Sequence, residues 1–357
     1  MILKNKKALV ALSGGVDSSV ASAIAKETGY DCIAVMLKLH RAFDENDTSC
    51  GTAKDAEDAQ KIAETLDIPF NVFSCENSFE SDVIERFVCS YENGCTPNPC
   101  IECNRYMKFG KLFDYADANG CEYVITGHYA RTEYDEKYGR VVLKSAVDEQ
   151  KDQSYVLYSL TEDKLKRVLF PLGSMHKSEA RELAAKLGFI NAEKKESQDI
   201  CFIPDGDYVS FIERYRNQKF ECGNFVDSEK NILGTHKGII RYTIGQHKKL
   251  GIVTPEPMYV SKIDPITNEI LLVLDKDLYK YEVKVADLVW SAFDTPPKTF
   301  RAYAKLRYRH KAAPCTVSIA DDGSALLVFD EKQRAPARGQ SAVMYDGETV
   351  LGGGIIQ

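Results

Sequence analysis

No run of apolar residues in this 357-residue chain approaches the length of about 18 that a membrane-crossing helix needs, so no span is expected. There is no internal repeat and no low-complexity tract, which argues against a solenoid or a tethered linker. Positive charge is not in excess: 46 Lys and Arg stand against 53 Asp and Glu, for a formal net charge of −7. The chain as a whole therefore does not advertise a nucleic-acid binder, although a local basic stripe would suffice. The opening MILKNKKALVAL runs straight into a strand pattern with no signal-peptide cleavage signature, so a cytoplasmic protein is expected. What is present is ordinary for a globular protein of two or three domains: 44% hydrophobic and 28% charged residues. Eleven cysteines without an export signal point to reduced thiols, some of them chemical, and not to a disulfide framework.

The chain is organised around KALVALSGGVDSSV, Lys7 to Val20. Ala8 to Leu12 read as a buried strand, Ser13-Gly14-Gly15 as a sharp turn, and a helix follows from about Asp17. Backbone N–H groups at a helix start, with the Ser13, Ser18 and Ser19 hydroxyls beside them and the helix dipole behind, suit a phosphate. A kinase-type loop would carry a lysine at its end. Here that lysine is missing, and Asp17 stands where a cation could be held. The pattern S-G-G-V-D-S resembles the pyrophosphate loop of ATP pyrophosphatases, enzymes that release pyrophosphate from ATP to adenylate an oxygen. An ordinary strand–turn–helix corner is the alternative.

Strands and helices alternate over the first two hundred residues in the manner of a parallel α/β sheet. Strands are expected at Asp31 to Leu37, Phe70 to Ser74 and Glu122 to Thr126. Helices are expected at Asp55 to Asp67, at Phe79 to Tyr91 and from about Asn104 to Asn119. Ligands of such sheets collect at strand carboxyl ends, which gathers the Ser13–Ser18 loop, Met36 and Gly127 around one crevice. From about Tyr208 helical periods fade. Met258 to Leu274 read as a hairpin, and turns at Asp322-Gly323 and Asp346-Gly347 among later strands suggest a small β-barrel. Gly352-Gly353-Gly354 is read as tight barrel closure. The expected division is 1–205, a nucleotide domain; 206–277, a small β-rich domain; and 278–357, the barrel.

Cys32, Cys50, Cys75, Cys89, Cys121, Cys222 and Cys315 fit strand, helix or surface positions and read as structural. The run Gly94-Cys95-Thr96-Pro97-Asn98-Pro99-Cys100-Ile101-Glu102-Cys103-Asn104 is different. Two prolines stiffen it, and Cys103 is read at the start of a helix, where a thiolate is favoured. Cys100 and Cys103 form a C-x-x-C that can chelate a metal or cycle as a disulfide. A second exposed candidate lies in Ser197-Gln198-Asp199-Ile200-Cys201-Phe202. An enzyme that adenylates an oxygen and keeps two exposed thiols suggests sulfur transfer.

These pieces occur in order with Thr126-Gly127-His128-Tyr129, Lys151-Asp152-Gln153-Ser154-Tyr155 and Gly339-Gln340-Ser341-Ala342-Val343, and the ordered set resembles the tRNA-specific 2-thiouridylase (MnmA) family over essentially the whole chain. The resemblance implies ATP-dependent 2-thiolation of the wobble uridine in tRNAs for Lys, Glu and Gln. It implies a pyrophosphatase domain followed by two β-rich ones. ATP with Mg²⁺ would sit on Ala11, Leu12, Ser13, Gly14, Gly15, Val16, Asp17 and Ser18, with Met36 and Gly127 by the nucleoside. Cys201 would hold a persulfide and Cys103 would be the second catalytic thiol, fed by a sulfur donor, a persulfide-carrying protein or sulfide. Asn98, Pro99 and Cys100 would face the target base; Lys151, Asp152, Gln153, Arg307 and Tyr308 would contact tRNA; His128 and Gln340 would bracket the target nucleotide. Family members commonly read T-P-N-P-D-x-x-C, and this chain has Cys100 at the aspartate. Three options stay open: persulfide chemistry without a metal, a 4Fe–4S cluster on Cys100, Cys103 and Cys201, or a zinc site with Cys95 as a further ligand.

For tRNA, Lys298 to Lys311 carries six Lys and Arg and no acid. Read as one strand, it puts Arg301, Lys305, Arg307, Arg309 and Lys311 on a single face, a candidate phosphate track. A solvated face balanced by nearby acids is the alternative. The rival functions are another pyrophosphate-loop ligase of the amidating or argininosuccinate type, and a non-catalytic RNA-binding protein.

Overall fold

The computed structural model describes residues 6–39, 53–194 and 200–357. Cys50 and Ser197-Gln198-Asp199 lie outside the described residues. Among those described, no helix is long and apolar enough to cross a membrane.

The apolar run after Lys6 forms strand β1 (Lys7–Ala11), and the chain turns into helix α1 (Val16–Glu27). Strand β2 (Asp31–Lys38), helix α2 (Ala53–Thr65), strand β3 (Phe70–Ser74) and strand β4 (Tyr123–Ile125) follow, as the alternation predicts. The hairpin of β5 (Ala130–Asp135) and β6 (Arg140–Ser145) and the short β7 (Val168–Leu169) complete the first two hundred residues. The parallel sheet has the order β3-β2-β1-β4-β7. β1 and β4 are neighbours, so the loop after β1 and the Thr126-Gly127 step after β4 open at the same edge.

The second sheet holds β8 (Gly223–Val226), β9 (Ile232–His236), β10 (Met258–Asp264) and β11 (Glu269–Leu274), in the order β10-β11-β8-β9. The expected 258–274 hairpin is its β10–β11 pair. One expectation fails at the entrance to this region: residues Tyr208–Arg216 are helical. Asp207 caps that helix by accepting from the Ser210 N–H, and Asn217 ends it in the left-handed region (φ 51°).

The third sheet contains β12 (Tyr279–Trp290), β13 (Thr299–Lys305), β14 (Ala313–Ile319), β15 (Ala325–Arg334), β16 (Ser341–Asp346) and β17 (Thr349–Ile356). A β12–β17 pairing closes these six into a barrel in the order 12-15-14-13-16-17. Gly352 and Gly354 lie where β17 crosses β12, with no room for a side chain against the Val289 and Ala286 carbonyls. The sequence reading did not foresee the β5–β6 hairpin, which extends this sheet through β6–β17 pairing. The first two hundred residues therefore reach into the barrel's sheet, and Val142 of β6 is buried in the barrel core.

A further hydrophobic cluster welds the helical segment 76–92 to the second sheet through Phe87, Phe202, Phe211 and Phe225. Its polar flank is an ion-pair fork: Arg216 reaches Glu85 at 2.7 Å and Glu92 at 2.8 Å. The Arg216 guanidinium is the main reason the Glu85 carboxyl is held below its usual range. A carboxylate with a lowered folded pKa stabilises the fold above its unfolded pKa, and that stabilisation is lost as pH falls through the folded value. Arg216→Ala should cost about 1 kcal/mol at neutral pH after allowance for solvent screening. Denaturant titrations of the variant and the parent should converge once the pH drops below the Glu85 range.

Candidate active site

The loop after β1 folds as the glycine pair predicts. Gly14 is left-handed (φ 75°), and Gly15 is the extended N-cap of α1. The loop closes on itself. The Ser13 N–H donates to Ser18 Oγ at 3.1 Å, and the Ser18 and Ser19 hydroxyls donate to the Gly15 carbonyl at 2.9 and 3.0 Å. The Gly14 carbonyl accepts from Asn191 Nδ2 at 3.0 Å. Gly127 lies directly on the start of α1: a Cβ there would stand 2.7 Å from the Asp17 carbonyl carbon and the Ser18 nitrogen. The structure thus brings Ala11, Leu12, Ser13, Gly14, Gly15, Val16, Asp17, Ser18 and Gly127 together. Met36, buried on the neighbouring β2, packs in the same core cluster as Leu12 and Val16.

Asp17 does not wait with a bare carboxylate. Lys177 places its ammonium 2.7 Å from both Asp17 oxygens, and Tyr129 donates its hydroxyl to Oδ1 at 2.9 Å. Lys177 opens helix Lys177–Lys186 and is largely buried. On the other side of the loop, Lys194 pairs with Asp55 at 2.7 Å and Asp58 at 3.1 Å. Sequence reasoning missed Lys177, Tyr129, Asn191 and Lys194. Only Tyr129 sat in a quoted motif; the others approach from far along the chain with no local signature. The donor set suits a Mg²⁺ ion escorting ATP only by exchange, since Asp17, Asp55 and Asp58 each already hold a lysine.

The cysteine segment corrects one expectation. The helix starts at Pro99, not near Asn104, because Asn98 caps it by accepting from the Cys100 N–H at 3.2 Å and Pro99 suits the first helical position. Cys100, exposed, is therefore the thiol in the first turn, and Cys103 lies a turn further in, where Cys103–Lys111 widens into a π-helix. Cys103 is buried in the cluster that welds 76–92 to the second sheet, and Cys201 packs against that same cluster. Asn104, next to Cys103, is buried with its Oδ1 unpartnered, while its Nδ2 donates to the Val156 carbonyl. Cys32 and Cys75, by contrast, have thiols pushed up to about 11 by burial, and Cys315 to about 12, as suits inert structural cysteines.

Two motifs distant in sequence form one clamp here. Gly339 (φ 86°) lies where a Cβ would stand 2.9 Å from the Cys95 Cβ, and the Thr96 N–H donates to the Arg338 carbonyl at 2.8 Å. Gln340 Nε2 donates to the Thr96 carbonyl at 2.9 Å and lies 3.4 Å from that of Pro97. The barrel thereby sets the entry to Asn98, Pro99 and Cys100. Cys100 and Asp152 both lie near Tyr308, whose phenol is pushed up by burial first and by those two groups second. Tyr308 donates to the Asp152 carbonyl at 3.0 Å.

Other expected tRNA contacts are engaged internally. Asp152 accepts from the Ala146 and Ser154 N–H groups, and Gln153 Oε1 from the Tyr129 N–H, so the loop carrying Lys151 is tied to the segment that carries Tyr129. His128 is buried, and burial first and Lys108 second hold it neutral. The Lys108 ammonium, 3.4 Å from Nε2, makes that nitrogen the acceptor and leaves the proton on Nδ1, facing Thr126 Oγ1 at 2.8 Å. Arg307 donates to the Ala335 carbonyl at 2.8 Å. The basic stripe is shorter than expected, because β13 ends at Lys305 and residues 306–310 turn away. Lys298 pairs with Asp321 and Arg301 with Asp330, so the acid-balanced alternative holds for that part.

Among the described residues no three His, Cys, Asp or Glu side chains are gathered to hold an ion. Cys100 lies exposed on the helix's first turn while Cys103 is buried in an apolar cluster.

Comparison with known proteins is consistent along the whole chain. Residues 6–205 match a family model described as a tRNA methyl transferase HUP domain. Residues 209–274 match a tRNA methyl transferase PRC-barrel domain, and 280–356 an aminomethyltransferase beta-barrel domain. A tRNA-specific 2-thiouridylase MnmA of Clostridioides difficile (strain 630) is 44% identical over 99% of this chain and 98% of its own. One of Acetivibrio thermocellus is 43% identical over 99% of this chain and 100% of its own. Among solved structures, a 4-thiouridine synthetase in complex with RNA and ATP aligns over 58% of this chain and 50% of that one, at 21% identity and a TM-score of 0.39.

The backbone contact at Gly127 can be tested alone. Gly127→Ala should push the start of α1 away and weaken ATP binding by about tenfold or more. The melting temperature should fall by only a few degrees, because the contact lies at the sheet's edge and not in its core. Calorimetric titration with ATP beside a thermal melt separates the two effects.

Proposed function

The chain belongs to the MnmA family of tRNA-specific 2-thiouridylases, and from that membership we propose how its site carries out tRNA-uridine 2-sulfur transfer. The substrate is the wobble uridine, in tRNAs for Lys, Glu and Gln. That base sits in a single-stranded loop, so taking it out of its stack costs little. ATP lies on residues 11–18 with its nucleoside toward Met36 and Gly127. Serine hydroxyls and N–H groups at the start of α1 hold its phosphates, and Mg²⁺ bound to ATP adds charge neutralisation there.

The uridine 2-oxygen attacks the α-phosphorus, the α–β bridging bond breaks, and pyrophosphate leaves with the electron pair. The 2-oxygen, now part of an adenylate, becomes a good leaving group. Cys201, loaded with a terminal sulfur by a donor, carries a persulfide. The Cys103 thiolate attacks Cys201 Sγ, forming the Cys103–Cys201 disulfide and expelling hydrosulfide. Hydrosulfide adds to C2 of the base, and AMP departs. An external thiol reductant then reopens the disulfide. Asn98, Pro99 and Cys100 present the base, held by the Gln340 clamp. His128, neutral with Nε2 as acceptor, and the Lys151–Gln153 loop flank the nucleotide. Arg307 and Tyr308 contact the anticodon arm.

One observation carries this reading: Cys103 lies in a buried cluster that follows the turn capped by Asn98, and Cys201, far away in sequence, packs against that same cluster. Cys201→Ala and Cys103→Ala should each lower 2-thiouridine formation by about a thousandfold. Both should still release about one pyrophosphate per enzyme in the presence of ATP and tRNA, because adenylation uses neither thiol. Protein purified anaerobically should be colourless and iron-free yet active; iron and sulfide in step with activity would favour the cluster route instead.

A further inference from the structure

Asp17 holds two kinds of partner, an ammonium and a phenol. Its carboxylate oxygens each lie 2.7 Å from the Lys177 ammonium, and Tyr129 donates to one of them. Lys177 is almost enclosed, with its side chain 11% exposed against 32% for Asp17. Its ammonium also lies 5.7 Å from the centre of the Tyr129 ring, and its own N–H is pinned by Asp148 Oδ2 at 3.0 Å. The lysine therefore reaches the loop from a fixed base, the first residue of helix Lys177–Lys186, while the loop has no lysine of its own.

We propose that Lys177 is the phosphate-binding lysine of this site and that the place it holds on Asp17 is the one Mg²⁺ takes when ATP binds. The inference rests on the ATP reading given above. A carboxylate, a lysine and a divalent cation compete in a defined way. Without nucleotide, Asp17 neutralises Lys177 and keeps the ammonium out of solvent. When the phosphates enter, they offer the ammonium a stronger anion, and Asp17 is released to a cation it can share with them. Lys177 then lies against the phosphates that depart, where negative charge grows as the α–β bond breaks and the electron pair moves to pyrophosphate. Tyr129 keeps the Asp17 carboxylate oriented in both arrangements.

A merely structural ion pair and an exchange differ in sign. Removing either member of a structural pair should harm binding in the same direction. Under exchange, Lys177→Met frees Asp17 for the cation, so half-saturating Mg²⁺ for ATP binding should fall at least threefold, while affinity for Mg²⁺-free ATP should fall at least tenfold. Asp17→Asn removes the Asp17 charge from Lys177, so Mg²⁺-free ATP should bind as well as before or better, and its Mg²⁺ enhancement should vanish. Lys177→Arg should recover most of the Mg²⁺-free affinity.

The readout is calorimetric titration of the full chain with ATP, with and without Mg²⁺, and thermal melts confirm folding. If Lys177→Met does not fold, Asp17→Asn decides alone: weaker Mg²⁺-free binding in that variant overturns the exchange. Unchanged Mg²⁺ demand in Lys177→Met overturns it as well. Failure of the parent protein to bind ATP at all would instead defeat the ATP reading itself.

Discussion

The contact on which the rest of the site depends is one of backbone against backbone: Gly127 at the end of β4 lies on the Asp17–Ser18 peptide at the start of α1. Because β1 and β4 are paired in parallel, their carboxyl ends already lie side by side. The absence of a side chain at Gly127 lets the two segments close to van der Waals contact, so Asp17, Ser18, His128 and Tyr129 share one wall. Everything that reaches this wall comes from later in the chain. Lys177 and Asn191 arrive from helical and loop segments, and Gln153 arrives through its hold on Tyr129.

A second constraint is the way the barrel holds the cysteine segment. The Arg338 carbonyl accepts from the Thr96 N–H and Gln340 donates to the Thr96 carbonyl, which fixes the 95–97 turn; Asn98 caps the helix, and Cys103 is carried a turn below into an apolar cluster. Several polar groups of the site are satisfied within the protein. Asp152, Gln153, Gln340 and Asp17 all spend hydrogen bonds on the protein itself. Satisfied groups cost little to keep buried, whereas orphaned ones cost about 1–3 kcal/mol each. The exceptions are Thr96 Oγ1, Asn104 Oδ1 and Asn191 Oδ1, which are buried without a partner.

Much of this was legible in the sequence where the signal is local. The small-residue strand, the glycine turn and the serine-rich helix start are a contiguous pattern, and β1, the loop and α1 follow it. Hairpin turns at Asp322-Gly323 and Asp346-Gly347 likewise join neighbouring strands. What stayed hidden was non-local or was masked by competing signals. The β5–β6 hairpin needs the barrel's edge to make sense of it. The helix at Tyr208–Arg216 depends on an Asp207 cap set in an otherwise β-textured region. Pro97 and Pro99 read as a loop, although one of them in fact opens a helix, and this moved Cys100 into the first turn in place of Cys103. Lys177 carries no motif at all; only the fold brings it to Asp17.

The central claim is that two thiols from distant parts of the chain deliver sulfur to a base activated by ATP in the adjoining crevice. The most direct measurement is peptide mass spectrometry after a single turnover of enzyme persulfidated at Cys201, with tRNA and ATP. The account predicts one Cys103–Cys201 disulfide for each 2-thiouridine formed, and no 2-thiouridine when ATP is left out. Stoichiometric 2-thiouridine with both thiols still reduced would contradict it.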